Sequence, residues 1–145
     1  MNVRHRIKLA LGIGLGAAAI LLAACAAMTS AKSVNVTLSG SEEVPPVSTA
    51  ARGSGTITVG QDMSVSGSVT VSGLSPIAAH IHTGARGANG PIAVGLAKTA
   101  DNVWSIPAGA KFTDAQYKAF QAGETYVNVH TQANKGGEIR GQLRP

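Results

Sequence analysis

The sequence holds one cysteine, Cys25. No intrachain disulfide can form, so the fold must rest on its apolar core. Charge is sparse as well, at 13% of residues, and the excess of basic residues is concentrated at the start, in Arg4, Arg6 and Lys8. Without residues 1–24 the formal net charge drops from +5 to +2, too small a basic footprint to suggest a nucleic-acid partner. No Ser lies in a Gly-x-Ser-x-Gly elbow, no glycine-rich phosphate loop appears, and no carboxylate pair is distinctively placed. Long apolar runs are missing too. The longest uncharged apolar stretch, residues 9–24, is too short and too Gly-rich for a membrane span, which needs about 20 strongly apolar residues.

That stretch reads instead as a secretory signal, with a basic start, a short apolar run and small residues before a cut point. Leu22-Ala23-Ala24-Cys25 resembles the lipobox of bacterial lipoproteins. The resemblance implies a signal peptide over 1–24 and lipidation of Cys25, which becomes the new N-terminus. Several acyl chains, at about 0.8 kcal/mol per buried methylene, would hold such a chain persistently on a bilayer. The expected location is the bacterial cell envelope, lipid-anchored and extracytoplasmic. Ala26 after the cysteine resembles outer-membrane sorting. Residues 25–33 form the lipidated tether, and 34–145 the folded domain.

From residue 34 onward apolar residues recur at period two, over 34–40, 55–59, 63–74, 78–82, 102–106, 125–131 and 138–143. Gly, Pro, Asn or Asp bound each run, as expected of strands joined by tight turns. The pattern predicts an all-β fold, a Greek-key or immunoglobulin-like β-sandwich of about 7–8 antiparallel strands. Thr113 and Gln116 form a capping box, Tyr117 and Phe120 lie one turn apart, and Gly123 can end the turn, so one short helix is expected over 114–122. Its aromatic pair should cover an open end of the sandwich. Trp104 is expected in the core. Glu42-Glu43-Val44-Pro45-Pro46 reads as an extended segment covering a sheet edge.

Strand parity places the histidines. Ala79 and Ile81 claim the core, which turns His80 and His82 outward together. Val127 and Val129 point inward, leaving Tyr126, Asn128 and His130 on the other face. Ile139 and Leu143 do the same for Glu138, Arg140 and Gln142. If these strands are neighbours, His80, His82 and His130 can form a facial set of nitrogen ligands suited to Cu(II), Cu(I) or Zn(II), with affinity rising toward copper. Asn128, Glu138 or Gln142 could then accept from the second ring nitrogens. The alternative is that His80 and His130 donate to loop carbonyls and pin two Gly-rich loops.

Three blocks, "GSEEVPPVSTAARGSG", "AAHIHTGARGANGPI" and "YVNVHTQANKGGEIRGQL", resemble in order and spacing the CHRD (chordin-type) domain. That resemblance implies an extracytoplasmic β-sandwich and does not imply an enzyme. The order His-x-His, Gly-rich loop, Val-x-Val-His and a late Arg is more distantly similar to Cu,Zn superoxide dismutase. On that likeness His80, His82 and His130 match copper ligands and Arg140 the arginine that guides superoxide. A bridging histidine, a zinc cluster and the disulfide are missing. Two functions are thus expected in competition. One is a membrane-anchored, non-catalytic module binding a protein or other ligand at the envelope. The other is a periplasmic copper-binding protein, dismutase-like in its strongest form.

Overall fold

The computed structural model describes residues 30–145. Its strands are β1 (Lys32–Ser39), β2 (Arg52–Val59), β3 (Val65–Ser72), β4 (Pro76–Thr83), β5 (Ile92–Ala100), β6 (Val103–Ser105), β7 (Thr125–Thr131) and β8 (Ile139–Leu143), with one helix, α1 (Asp114–Gln121). The expected signal peptide, Cys25 and most of the tether lie outside the described residues. β1 opens at Lys32, so the last two residues of the expected tether already belong to a strand.

The strands close on themselves in the order β1-β2-β3-β6-β5-β4-β7-β8, every neighbouring pair antiparallel. This corrects the expected Greek-key sandwich. A sandwich has two sheets with open edges, whereas here each strand has a partner on both sides and no sheet edge is left free. Two features account for the difference. Residues 92–100, not expected as a strand, form β5, and with β6 they join β3 to β4 where a sandwich would have had edges. At the other seam β1 meets β8 at Ser39 and Arg140, where a Cβ on Gly141 would collide with the backbone carbonyl of Thr37. Only a glycine admits β1 this closely.

Alternation fills the interior as parity demands. Val34, Val36 and Leu38 from β1, Ile57 and Val59 from β2, Ile81 from β4 and Val127 and Val129 from β7 are all buried in one core with Trp104. The helix forms where its signals stand: Thr113 Oγ1 accepts from the Gln116 amide, and the Gln116 side chain accepts from the Thr113 amide. Phe120 is buried against Phe112, with ring centroids 6.1 Å apart. Phe120 belongs to the barrel core and Tyr117 packs against it.

The second face of β7 and β8 is not free surface. Every residue of β7 is buried, as are Ile139, Arg140, Gly141 and Leu143 of β8. Three connections cover that outer face. The strap from 40 to 50 carries the 3-10 turn Gly40–Glu42. The loop after β4 is tied to it by an Arg86–Glu42 salt bridge of 2.8 Å and by Asn89 Nδ2 donating to Val44 O at 2.8 Å. The turn before β8 is tied to it by Thr49 Oγ1 donating to Glu138 at 2.9 Å. A layer of buried polar groups therefore lies outside the barrel wall and under these loops.

Candidate metal centre

The three histidines sit in that outer layer on adjacent strands. In the register of β4, β7 and β8, His82 faces Tyr126, which faces Gln142, and one step along His80 faces Asn128, which faces Arg140. His130 follows on β7 opposite Ala78. The pleat alone puts all three imidazoles on one face, as parity requires. The β4–β5 register shifts between Ile81 and His82, a bulge beside the cluster that re-aims the strand there. One ligand nitrogen from each ring lies within 4.8 Å of the other two.

Their hydrogen bonds fix the tautomers, because a carbonyl only accepts. His82 Nδ1–H donates to Gly90 O at 2.9 Å, and His130 Nδ1–H donates to Lys135 O at 2.9 Å. Both rings thereby turn a basic Nε2 inward. His130 Nε2 accepts from His80 Nδ1–H at 3.0 Å, whereas His82 Nε2 is buried and has no partner. Burial first, and then the neighbouring imidazoles, hold His80 below the ordinary histidine value. For His82 burial again leads, opposed by the Gly90 bond and helped by His130 and Arg140.

These features suit a metal. Metal–nitrogen bonds of about 2.0–2.1 Å place two ligand nitrogens roughly 2.8–3.4 Å apart, and the His80–His130 separation of 3.0 Å falls in that range. The two carbonyl anchors are the outer partners that ligating histidines normally have. The wider spacing to the third ring needs a small side-chain adjustment. The donor set, three imidazoles and no carboxylate or thiolate among the described residues, suits copper or zinc.

A family model for the CHRD domain matches residues 34–143. The chain belongs to the CHRD domain family. No curated protein and no solved structure is significantly similar to it.

Within this CHRD domain the other expected site residues are placed differently. Neither Asn128, Glu138 nor Gln142 accepts from a histidine; backbone carbonyls do that work. Glu138 instead accepts from Thr49, Thr131 and Asn134 and fastens two loops, contacts that hold its carboxyl below the usual range. Gln142 donates to Gly84 O and Gly123 O. Loop pinning is expected of His80 and His130, but the pair that reaches loop carbonyls is His82 and His130. Arg140 is 1% exposed and lies with Cζ 3.4 Å from the Tyr126 ring centroid, donating to Asn89 Oδ1, Ala85 O and Gln142 Oε1. It is a buried cation under a loop, not a guide at an open mouth.

Parity places Tyr126 on the histidine face but assigns it no role, and it does not reach Glu43. Tyr126 stacks on His82 at 5.0 Å and 8° and accepts from the Gly90 amide, so it fixes the ring from beside and the loop from below. Glu43, 4% exposed, reaches in from the strap to accept from Asn128 Nδ2 at 3.2 Å. Glu43 Oε1 and Asn128 Oδ1 are both buried without partners, and a Cβ on Gly137 would collide with both. Burial pushes the Glu43 carboxyl up to about 7, against the Asn128 bond and the Arg140 charge. As the neutral acid it can donate to the amide oxygen while accepting from the amide nitrogen, which serves both orphaned acceptors at once.

Proposed function

We propose that the chain is a membrane-anchored, extracytoplasmic CHRD-domain lipoprotein, a non-catalytic binding module whose ligand is a transition-metal ion held by His80, His82 and His130. One observation carries the metal reading: three imidazoles on adjacent strands bring ligand nitrogens within 4.8 Å of one another, two of them with their second nitrogen already committed to a backbone carbonyl. Loop pinning alone accounts for the two carbonyl bonds. It leaves the buried, partnerless His82 Nε2 without a purpose.

The anchor rests on Leu22-Ala23-Ala24-Cys25. A dismutase activity is not part of this reading. Among the described residues no fourth histidine bridges to a second ion, and Arg140 is turned to loop carbonyls.

Metal titration of the purified full-length chain, read by copper absorption and by calorimetry, tests the first part. Binding at micromolar or tighter affinity should vanish in the His80→Ala/His130→Ala double variant. No binding at millimolar metal would remove the metal reading. For the anchor, Cys25→Ala should move the protein from the membrane to the soluble fraction of cells. A wild-type chain found wholly soluble would remove the lipoprotein part.

A further inference from the structure

The charge around the cluster is unusual for a site meant for a divalent ion. Arg140 is fully buried, and among the described residues no carboxylate lies within salt-bridge distance of it. Its guanidinium rests on Tyr126, and Tyr126 rests on His82, so one aromatic ring separates a fixed positive charge from a ligand ring. Nothing acidic joins the three histidines. Glu138 is committed to Thr49, Thr131 and Asn134, and Glu43 is directed at Asn128. The anchors behind His82 and His130 are neutral carbonyls, where a carboxylate would have made the rings more basic and supplied negative charge.

An ion bound here keeps its full charge close to a buried guanidinium. The repulsion grows with each unit of that charge. Coordination number points the same way. Zinc favours four ligands, three from protein and a water, whereas His82 Nε2 lies where solvent does not reach. A three-coordinate, soft, singly charged d¹⁰ ion is satisfied by three imidazoles.

We infer that the cluster selects Cu(I) over Cu(II) and Zn(II), with Arg140 as the charge that sets the preference. This rests on the metal-binding reading of the same three histidines.

Anaerobic competition of the full-length chain with a chromophoric Cu(I) chelator, set beside Cu(II) and Zn(II) competitions at the same pH, tests it. Cu(I) should bind at least a hundredfold tighter than either divalent ion. Arg140→Gln should narrow that ratio by roughly tenfold, the scale of one unit charge acting across one ring stack at an effective dielectric near 20, while Arg140→Lys should preserve it. Equal or tighter binding of Zn(II) or Cu(II) by the wild-type chain overturns the inference and leaves the metal site standing. Binding of none of the three overturns the site itself. The wild-type ratio decides even where Arg140→Gln does not fold, and an unchanged ratio in a folded Arg140→Gln removes Arg140 from the account.

Discussion

His80 Nδ1 stands 3.0 Å from His130 Nε2, with a proton shared between the two nitrogens where a metal ion would coordinate both. Metal and proton therefore compete for one place, and on binding the His80 proton moves to Nε2, so the neutral rings take up the ion without net release of a proton. Burial keeps His80 and His82 below the ordinary histidine value of 6.5, so these two rings are neutral above that pH and their competition with the metal grows only below it. Copper affinity should be flat from about pH 8 to 6.5 and then weaken by up to about tenfold per pH unit for each proton taken up. Competition titrations across that range measure it. A decline beginning well above pH 7 would contradict the burial account.

The histidines of the pair differ in their second contact. His130 also holds Lys135 O and is 9% exposed, whereas His80 has no backbone anchor. His130→Ala should cost about 1–3 kcal/mol of folding stability, from a lost buried hydrogen bond and a void, and should loosen the turn before β8. His80→Ala should cost less than about 1 kcal/mol while still abolishing metal binding. Urea unfolding of both metal-free variants checks the ordering.

Much of this site was legible in the sequence, for a reason of period. Hydrophobic alternation sets which face a side chain takes, and Ala79, Ile81, Val127 and Val129 fixed His80, His82 and His130 on one face. Alternation is blind to two other things. It reads the same in a sandwich and a barrel, since closure depends on long-range pairing such as Ser39 with Arg140. The joining strand β5 hid because only Val94 and Leu96 of its nine residues are buried. Nor does parity say whether an outward face meets water. Arg140 and Asn128 point away from the core as read, yet loops cover them. The signal for that cover was present in Glu42-Glu43-Val44-Pro45-Pro46 and Lys135-Gly136-Gly137, but the contacts between such loops and a strand carry no periodicity.

Gly137 shows how tightly that cover is seated. Its φ is +133°, and any Cβ there would collide with Asn128 and with Glu43. Gly137→Ala combines backbone strain with displacement of a buried polar pair, so a loss of about 2 kcal/mol or more is expected. Its neighbour Gly136 has open space around the Cβ position and no positive φ, and Gly136→Ala should change stability by less than about 0.5 kcal/mol. Thermal denaturation of the two variants side by side is the check. Equal losses would mean that the turn, not the contact with Glu43 and Asn128, sets the cost.

Glu43 makes the stability of the domain depend on pH in a direction opposite to the histidines. Its carboxyl is pushed up to about 7 in the fold from an ordinary value of 4.5, so below about 4.5 both folded and unfolded chains carry the proton and its contribution is complete. As pH rises from 4.5 to 7 the unfolded chain loses the proton first, and the contribution drains away, by on the order of 3 kcal/mol at most. His80 and His82, lowered by burial, act the other way, since their contribution is present above 6.5 and lost as pH falls below it. The two trends overlap in a wild-type profile. Glu43→Gln separates them, because its amide can pair with Asn128 at any pH without a proton to lose. Unfolding free energies measured from pH 4.5 to 8 should show the wild-type chain losing ground to Glu43→Gln as pH rises, with the gap levelling off above 7. A constant gap across that range would mean that Glu43 is already ionised at the acid end and that the strap is held by other contacts.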